Sequence, residues 1–327
     1  MKKTKWGIIG TGKIANTFAT ALSGCENSEL CAVASRTKEK AQVFADKFGF
    51  RKAYGSYKEL AEDSEVDIVY IATPMSSHYG DAMLCLENGR NVLCEKTLTL
   101  NADDCEKLLG YAESKKLFFM EAIWMKTRPT YLKVLEWIRS GMIGKVEYIK
   151  ADFCNFIPYD GSDRLFKAES GGGALLDLGV YPLTMTADIL GYSPKELISD
   201  AHIGRDKIDL SNTMLLRYDG AFASLSSGFE VQNRNNAVIA GDKGSIVMGD
   251  WFFCSEEAVL YDLDTNEIER CHIPNEINGY EYEIRECERC LAEGLTQSPL
   301  IPHESTLSVM KLMDECRRQW GMRFPGE

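Results

Sequence analysis

No apolar stretch of this 327-residue chain approaches the roughly 20 residues needed to cross a bilayer, so no membrane span is expected. Basic residues are the minority charge, 37 against 49 acidic, and the net charge is −12. Phosphate backbones are held by clustered Lys and Arg, which argues against nucleic acid as a partner. A charged segment leading into an apolar core is also missing at the start, because Met1-Lys2-Lys3-Thr4-Lys5 runs into a short apolar stretch ended by Gly10. No export leader is expected. Internal repeats and low-complexity linkers are absent as well, and 45% hydrophobic with 26% charged residues is the composition of a globular chain. The 11 cysteines are odd in number and scattered, which fits a reducing, cytoplasmic setting. Only Cys287 and Cys290 have C-x-x-C spacing. They lie in a charged helical pattern without a second pair at zinc-like spacing, so a packing role is expected and no metal site is predicted.

The first 120 residues alternate short β-branched runs with helical patterns, the signature of a parallel sheet with crossover helices. Trp6 to Ile9, Leu30 to Ala34, Tyr54, Ile68 to Ile71, Asn91 to Cys94 and Phe118 to Met120 read as strands. Gly12 to Leu22, Lys38 to Phe48 and Tyr57 to Ala61 read as helices. The expected architecture is a doubly wound Rossmann sheet. Beyond residue 123 the pattern changes, with a helix at Tyr131 to Ser140 and a long strand at Val146 to Phe156. Strand-like stretches at Asn212 to Tyr218, Ala221 to Phe229, Asn236 to Ala240, Ser245 to Met248 and Ala258 to Asp262 follow without crossover helices, and so predict an antiparallel sheet. Asp219-Gly220 and Asp242-Lys243-Gly244 fall where its hairpins would turn. Helices over Tyr282 to Glu293 and Pro302 to Trp320 close the chain. One core rarely organises this length, and two domains are expected, at 1–122 and 123–327, with the C-terminal helix free to pack back on the first.

Gly10-Thr11-Gly12-Lys13-Ile14-Ala15 follows a strand and opens a helix, the setting in which G-x-G-x-x-A binds a dinucleotide. Gly10 permits the tight turn, Gly12 lets the backbone approach a pyrophosphate, and Ala15 lets helix and strand pack closely. The helix N-terminus then favours the anion. An NAD-specific site places Asp or Glu at the end of the second strand, and none is present. Ser35-Arg36-Thr37-Lys38 offers hydroxyls and two cations instead, which suits the 2′-phosphate of NADP(H). The alternative is that Arg36 stacks over adenine and NAD(H) is accepted too. Thr73 and Pro74 end a buried strand, where a ribose or nicotinamide would border the backbone. His78 follows in a register that suits a helix start, which favours a positioning role.

Taken together, these segments resemble the Gfo/Idh/MocA oxidoreductase family, and within it the dimeric dihydrodiol dehydrogenase (D-xylose 1-dehydrogenase) group. The resemblance is carried by Gly10-Thr11-Gly12, Ala34-Ser35-Arg36, Ala72-Thr73-Pro74 with His78, Cys94-Glu95-Lys96, Met120-Glu121-Ala122-Ile123-Trp124 and the run from Gly171 to Tyr181. It implies an N-terminal Rossmann domain and a C-terminal α+β domain for substrate binding and dimerisation, with an open-faced, mainly antiparallel sheet. It also implies a homodimer or larger homo-oligomer through that open face. The family's catalytic lysine falls on Lys96, with Glu95 beside it against the cofactor. Thr97 stands where proline is usual, giving this loop one more amide donor and a less fixed backbone angle. The family's second acid–base position falls on Tyr181, four residues beyond Asp177, and tyrosine there marks the dihydrodiol dehydrogenase group.

The chemistry is consistent with those residue types. Hydride transfer to a carbonyl leaves a developing alkoxide, which needs an electrophile and a proton. Lys96 can supply charge, and Tyr181 can supply the proton if an ammonium stabilises its phenolate. Asp177 and Tyr181 share a helical face if one helix runs through both, whereas Pro182 can also start a separate segment. Trp124, Arg128 and Phe156 are the substrate candidates beside Asp177 and Tyr181. Phe153 reads as a buried strand residue. The expected function is an NADP(H)-dependent oxidoreductase interconverting hydroxyl and carbonyl on a small-molecule sugar, sugar derivative or dihydrodiol. A catalytically silent dinucleotide-binding sensor is the alternative.

Overall fold

The computed structural model describes residues 3–327; Met1 and Lys2, part of the segment read above for a leader, lie outside the described residues. The chain divides into two compact units. The first comprises the chain up to Thr99, Asp103–Thr127 and Asn275–Thr306, and the second Leu100–Ala102, Arg128–Pro274 and Leu307–Glu327.

In the first unit, β1 (Thr4–Ile9), α1 (Lys13–Gly24), β2 (Ser28–Ala34), α2 (Lys38–Phe48), β3 (Lys52–Tyr54), α3 (Tyr57–Ala61), β4 (Ile68–Ile71), α4 (Met75–Glu87), β5 (Asn91–Glu95), α5 (Ala102–Lys115, in this unit from Asp103 onward) and β6 (Phe119–Ala122) alternate strand and helix. Among the described residues the strands form a six-stranded sheet in the order β3-β2-β1-β4-β5-β6, paired in parallel throughout. This is the Rossmann arrangement expected from the sequence. The order reverses between β1 and β4, and ligands bind at such a switch point, beyond the carboxyl ends of the strands. Both faces of β4 are buried, which is why its four residues read as a continuous apolar run. Phe18 of α1 stacks on Tyr70 of β4 with ring centroids 3.6 Å apart, which fixes the first helix against the sheet.

The second unit carries α6 (Pro129–Arg139), β7 (Val146–Cys154), α7 (Val180–Leu190), β8 (Glu196–Ile203), β9 (Asp209–Tyr218), β10 (Ala221–Gly228), β11 (Ala237–Gly241), β12 (Gly244–Met248), β13 (Glu257–Asp262) and β14 (Glu267–His272). Its described strands form an eight-stranded sheet, β14-β13-β12-β11-β7-β10-β9-β8. All neighbours run antiparallel except β7 and β10, so the sheet is mainly antiparallel, as expected. Buried and accessible residues alternate along β9 and β10, so one face packs inward through Met214, Leu216, Ala223 and Leu225. The other face is open and carries Ile198, Leu215 and Phe222, each about half exposed. Helices α8 (Glu281–Ala292) and α9 (His303–Trp320) complete the chain; α8 lies in the first unit, and α9 from Leu307 onward lies in the second.

Candidate active site

In the first unit the parallel sheet brings the carboxyl ends of β1, β2, β4 and β5 to one edge, and the expected cofactor residues follow directly from those ends. Gly10, after β1, has φ +100°, and a Cβ there would lie 2.7 Å from the carbonyl oxygen of Ala72. Only glycine permits that approach of the first turn to the end of β4. Gly12 precedes α1, is exposed, and has open space where a side chain would stand, so the first amides of the helix are accessible to an anion. Lys13 is exposed, Ile14 is half-buried and Ala15 is buried against the sheet. The residues present therefore fit a dinucleotide pyrophosphate.

After β2, the Thr11 and Ser35 hydroxyls lie 3.3 Å apart, which ties the first turn to the second. Arg36 and Thr37 are exposed, and the Thr37 hydroxyl accepts from the amide of Lys40 as the cap of α2. After β4, the Thr73 hydroxyl donates to Asp81 at 2.7 Å, and exposed Pro74 precedes α4. His78 is 1% exposed, and its two ring nitrogens each lie 3.0 Å from a carbonyl oxygen, those of Thr73 and Thr97. Its imidazole thus ties the β4 turn to the Lys96 loop.

Lys96 follows β5 directly and is half-buried, and its peptide bond to Thr97 is cis. Glu95 is buried and accepts from the Tyr70 hydroxyl. The carboxyl of Glu121 accepts from the amide of Leu98 at 3.1 Å and from the Thr306 hydroxyl at 2.9 Å. Burial pushes that carboxyl up, while the charges of Lys126 and Lys96 pull it down. Trp124, in a short turn after β6, stacks on Tyr280 with centroids 4.6 Å apart. Cys287 and Cys290 are buried; burial lifts the first thiol well above its ordinary range and the second to about 12, so neither is a reactive thiolate.

In the second unit one continuous helix runs from Ala174 to Leu190, opening with a wider π-type turn over Leu175–Gly179. Asp177 and Tyr181 are therefore on one helix, and Pro182 lies inside it. Pro182 has no N–H to donate to the carbonyl four residues back, so a regular α ladder cannot run through this point. Asp177 is half-buried and lies 3.3 Å from the Arg164 guanidinium. Tyr181 is buried, with its ring among Phe153 at 5.7 Å and Phe253 at 4.8 Å. Phe153 and Phe253 stack at 4.3 Å, and Trp251 meets both edge-on at 6.0 and 6.1 Å. Trp251 holds φ +60°, a conformation that costs a bulky residue energy and that clusters at functional sites.

Of the substrate candidates in this unit, Arg128 is buried and donates to the Cys254 carbonyl at 2.8 Å, while Phe156 is exposed in the loop after β7. Trp251 and Phe253 were not singled out from sequence. The signal available was the aromatic run Trp251-Phe252-Phe253 between two strands, too short for periodicity to interpret.

Two family models match the chain: the Gfo/Idh/MocA oxidoreductase family with its NAD-binding Rossmann fold over residues 4–123, and the Gfo/Idh/MocA C-terminal domain over 131–247. Trans-1,2-dihydrobenzene-1,2-diol dehydrogenase of Xenopus tropicalis is 33% identical across 98% of this chain and 99% of its own, and the human protein of that name is 33% identical across 98% of each. The NADP(+) D-xylose 1-dehydrogenase of Hypocrea jecorina is 34% identical across 98% of this chain and 93% of its own. The 3-ketoreductase KijD10 of Actinomadura kijaniata, solved with NADP and TDP-benzene, superposes with a TM-score of 0.86 at 27% identity, covering 97% of this chain and 98% of its own.

Proposed function

Because the chain belongs to the Gfo/Idh/MocA family of NAD(P)-binding oxidoreductases, we propose that it interconverts a hydroxyl and a carbonyl on a sugar, a sugar derivative or a dihydrodiol, using NADP(H) in preference to NAD(H). The observation that carries the substrate class is the setting of the Tyr181 phenol among Phe153, Trp251 and Phe253. Such ring faces suit the apolar side of a sugar ring or the plane of an aromatic diol. The full-length relatives that act on a dihydrodiol and on D-xylose support the same class.

A nicotinamide cofactor, when bound, would supply or accept the hydride. The Gly10-Thr11-Gly12 turn and the first amides of α1 hold the pyrophosphate, while Ser35, Arg36 and Thr37 receive the ribose and its 2′-phosphate. Thr73 and Pro74 border the nicotinamide end, and His78 fixes their loop. The Lys96 ammonium stabilises the developing alkoxide. Tyr181 delivers the proton in reduction and takes it back in oxidation, with Asp177 one turn earlier on the same helix.

A homodimer formed across the open face of the second unit's sheet belongs to the same proposal, because Ile198, Leu215 and Phe222 are exposed together there. So does a cytoplasmic setting, supported by eleven scattered cysteines.

The test is a panel of aldoses, ketoses, dicarbonyls and dihydrodiols assayed with NADPH or NADP+. With the best substrate, Lys96→Met and Tyr181→Phe should each lower kcat by about 10²- to 10⁴-fold, the usual worth of positioned acid–base groups. Wild-type turnover by both variants would remove the pair from the mechanism.

A further inference from the structure

Helix N-termini present amides without helical partners and attract negative charge. At the start of the helix that bears Tyr181, that charge comes from Asp209, the first residue of β9 and only 1% exposed. The amide of Leu175 donates to its Oδ2 at 2.7 Å, and the amide of Ala174 donates to the same carboxyl. Asn212 Nδ2 donates to Oδ2 at 2.8 Å. Gly173 has φ +123°, and a Cβ there would lie 2.3 Å from Asp209 Oδ1, so the carboxylate seats directly against backbone at that position.

The other end of the π-type turn is held by the same polar chain. The Ser227 hydroxyl donates to Asn212 Oδ1 at 3.0 Å, and these two residues are cross-strand partners on β10 and β9. A Cβ on Gly179 would meet the Ser227 hydroxyl at 2.9 Å, so the turn presses on the chain there as well. Asp209, Asn212 and Ser227, all buried, thus grip the segment from Gly173 to Gly179, and Tyr181 lies two residues further on.

We propose that Asp209 is a positioning residue whose ionised carboxylate anchors the amino end of the Asp177/Tyr181 helix and so sets where the Tyr181 hydroxyl delivers its proton. This rests on the reading of Tyr181 as the proton donor. The groups that touch Asp209 here are donors, which a carboxylate accepts fully and a protonated carboxyl accepts only in part. Burial pushes the carboxyl up to about 7 against the pull of those donors, so its charge changes within the working range of an enzyme. The titratable group facing it from α9 is Cys316, a thiol that burial lifts to about 12 and keeps neutral; β9 and β10 face it with the neutral Asn212 and Ser227.

Asp209→Asn, assayed with NADPH and the best carbonyl of the panel, should lower kcat about tenfold or more, since small misplacements of a reacting group cost that much. The KM for NADPH should stay put. In the wild type kcat should fall on the acid side with an apparent pKa near 7, and the variant should lose that limb. Placed in a Tyr181→Phe background, Asp209→Asn should add no further loss, because Asp209 acts through the phenol. Full turnover by Asp209→Asn with the acid limb intact would overturn the proposal, as would an undiminished effect in the Tyr181→Phe background. Should Asp209→Asn not fold, the wild-type profile decides. An acid limb in kcat that is absent from NADPH affinity supports the anchor, and a flat kcat between about pH 6 and 8 refutes it. Wild-type turnover by Tyr181→Phe alone would instead strike the underlying reading, whatever Asp209 does.

Discussion

Arg36 stands exposed between Ser35 and Thr37, the cap of α2. In the proposed function a guanidinium there would discriminate between the two nicotinamide cofactors through charge-assisted hydrogen bonds to a 2′-phosphate. Arg36→Ala should raise the KM for NADPH about 10- to 100-fold, the worth of one or two such bonds, and leave that for NADH within about twofold. Equal effects on both cofactors, measured by steady-state kinetics, would reassign Arg36 to stacking. At this scale the positions of the Gly10-Thr11-Gly12 turn and the Ser35-Arg36 corner were legible because each follows a strand whose apolar run marks its end, whereas Lys96 was reached through the family resemblance. Asp209 and Trp251 were not. One is an acid turned inward at the start of a strand, between apolar Ile208 and Leu210, and the other is held in a left-handed turn; neither side chain's direction follows from its neighbours in sequence.

Among the elements, α8 shows how a charged sequence can hide a buried face. Glu283 is fully buried on it, and neither carboxyl oxygen has a hydrogen-bond partner among the described residues. Burial, reinforced by the nearby Glu95 carboxylate, holds this acid well above its ordinary range. The folded protein therefore keeps a proton that the unfolded chain releases, and stability falls as pH rises above the ordinary glutamate range. The slope for one proton is about 1.4 kcal/mol per pH unit, until the buried group itself ionises. Glu283→Gln should abolish that slope, giving a Tm above wild type near pH 8 and little change near pH 5 in a calorimetric series; parallel pH profiles would refute it. The strands that sequence missed, β8 and β14, are the two edges of the eight-stranded sheet. Along β8 no residue is fully buried, and adjacent Leu197 and Ile198 followed by Ser199 and Asp200 break the apolar alternation of its sequence, while β14 buries only Cys271. The interior strands were readable because β9 to β12 alternate buried and accessible residues, and β13 buries Ala258, Val259 and Leu260 as a continuous apolar run. The π-type turn before Tyr181 was not, since an extra residue in a helical turn leaves the apolar spacing almost unchanged.

For the molecule as a whole, the open sheet face bears directly on assembly. Ile198 pairs with Leu215 across β8 and β9, and Phe222 packs its ring 4.8 Å from Tyr148, so the exposed apolar groups form one surface. The Arg217–Glu196 ion pair at 2.9 Å lies on the same two strands. A second copy presenting the same surface is the occupant proposed above, and Phe222→Asp should lower the mass from that of the proposed dimer to that of a monomer by light scattering at micromolar concentration. The same mass for both proteins would place the interface elsewhere.

The first unit is closed by a segment made long after the rest of it. Glu288 on α8 accepts from the Trp6 indole of β1 and the Ser28 hydroxyl of β2, and Asn278 donates to the Thr17 carbonyl of α1. During synthesis on a ribosome, β1 and α1 emerge well over two hundred residues before these partners exist. The nucleotide-binding half therefore acquires its last layer only after the intervening sheet has been translated, and a nascent chain arrested near residue 127 would display Trp6 and Ser28 without their carboxylate.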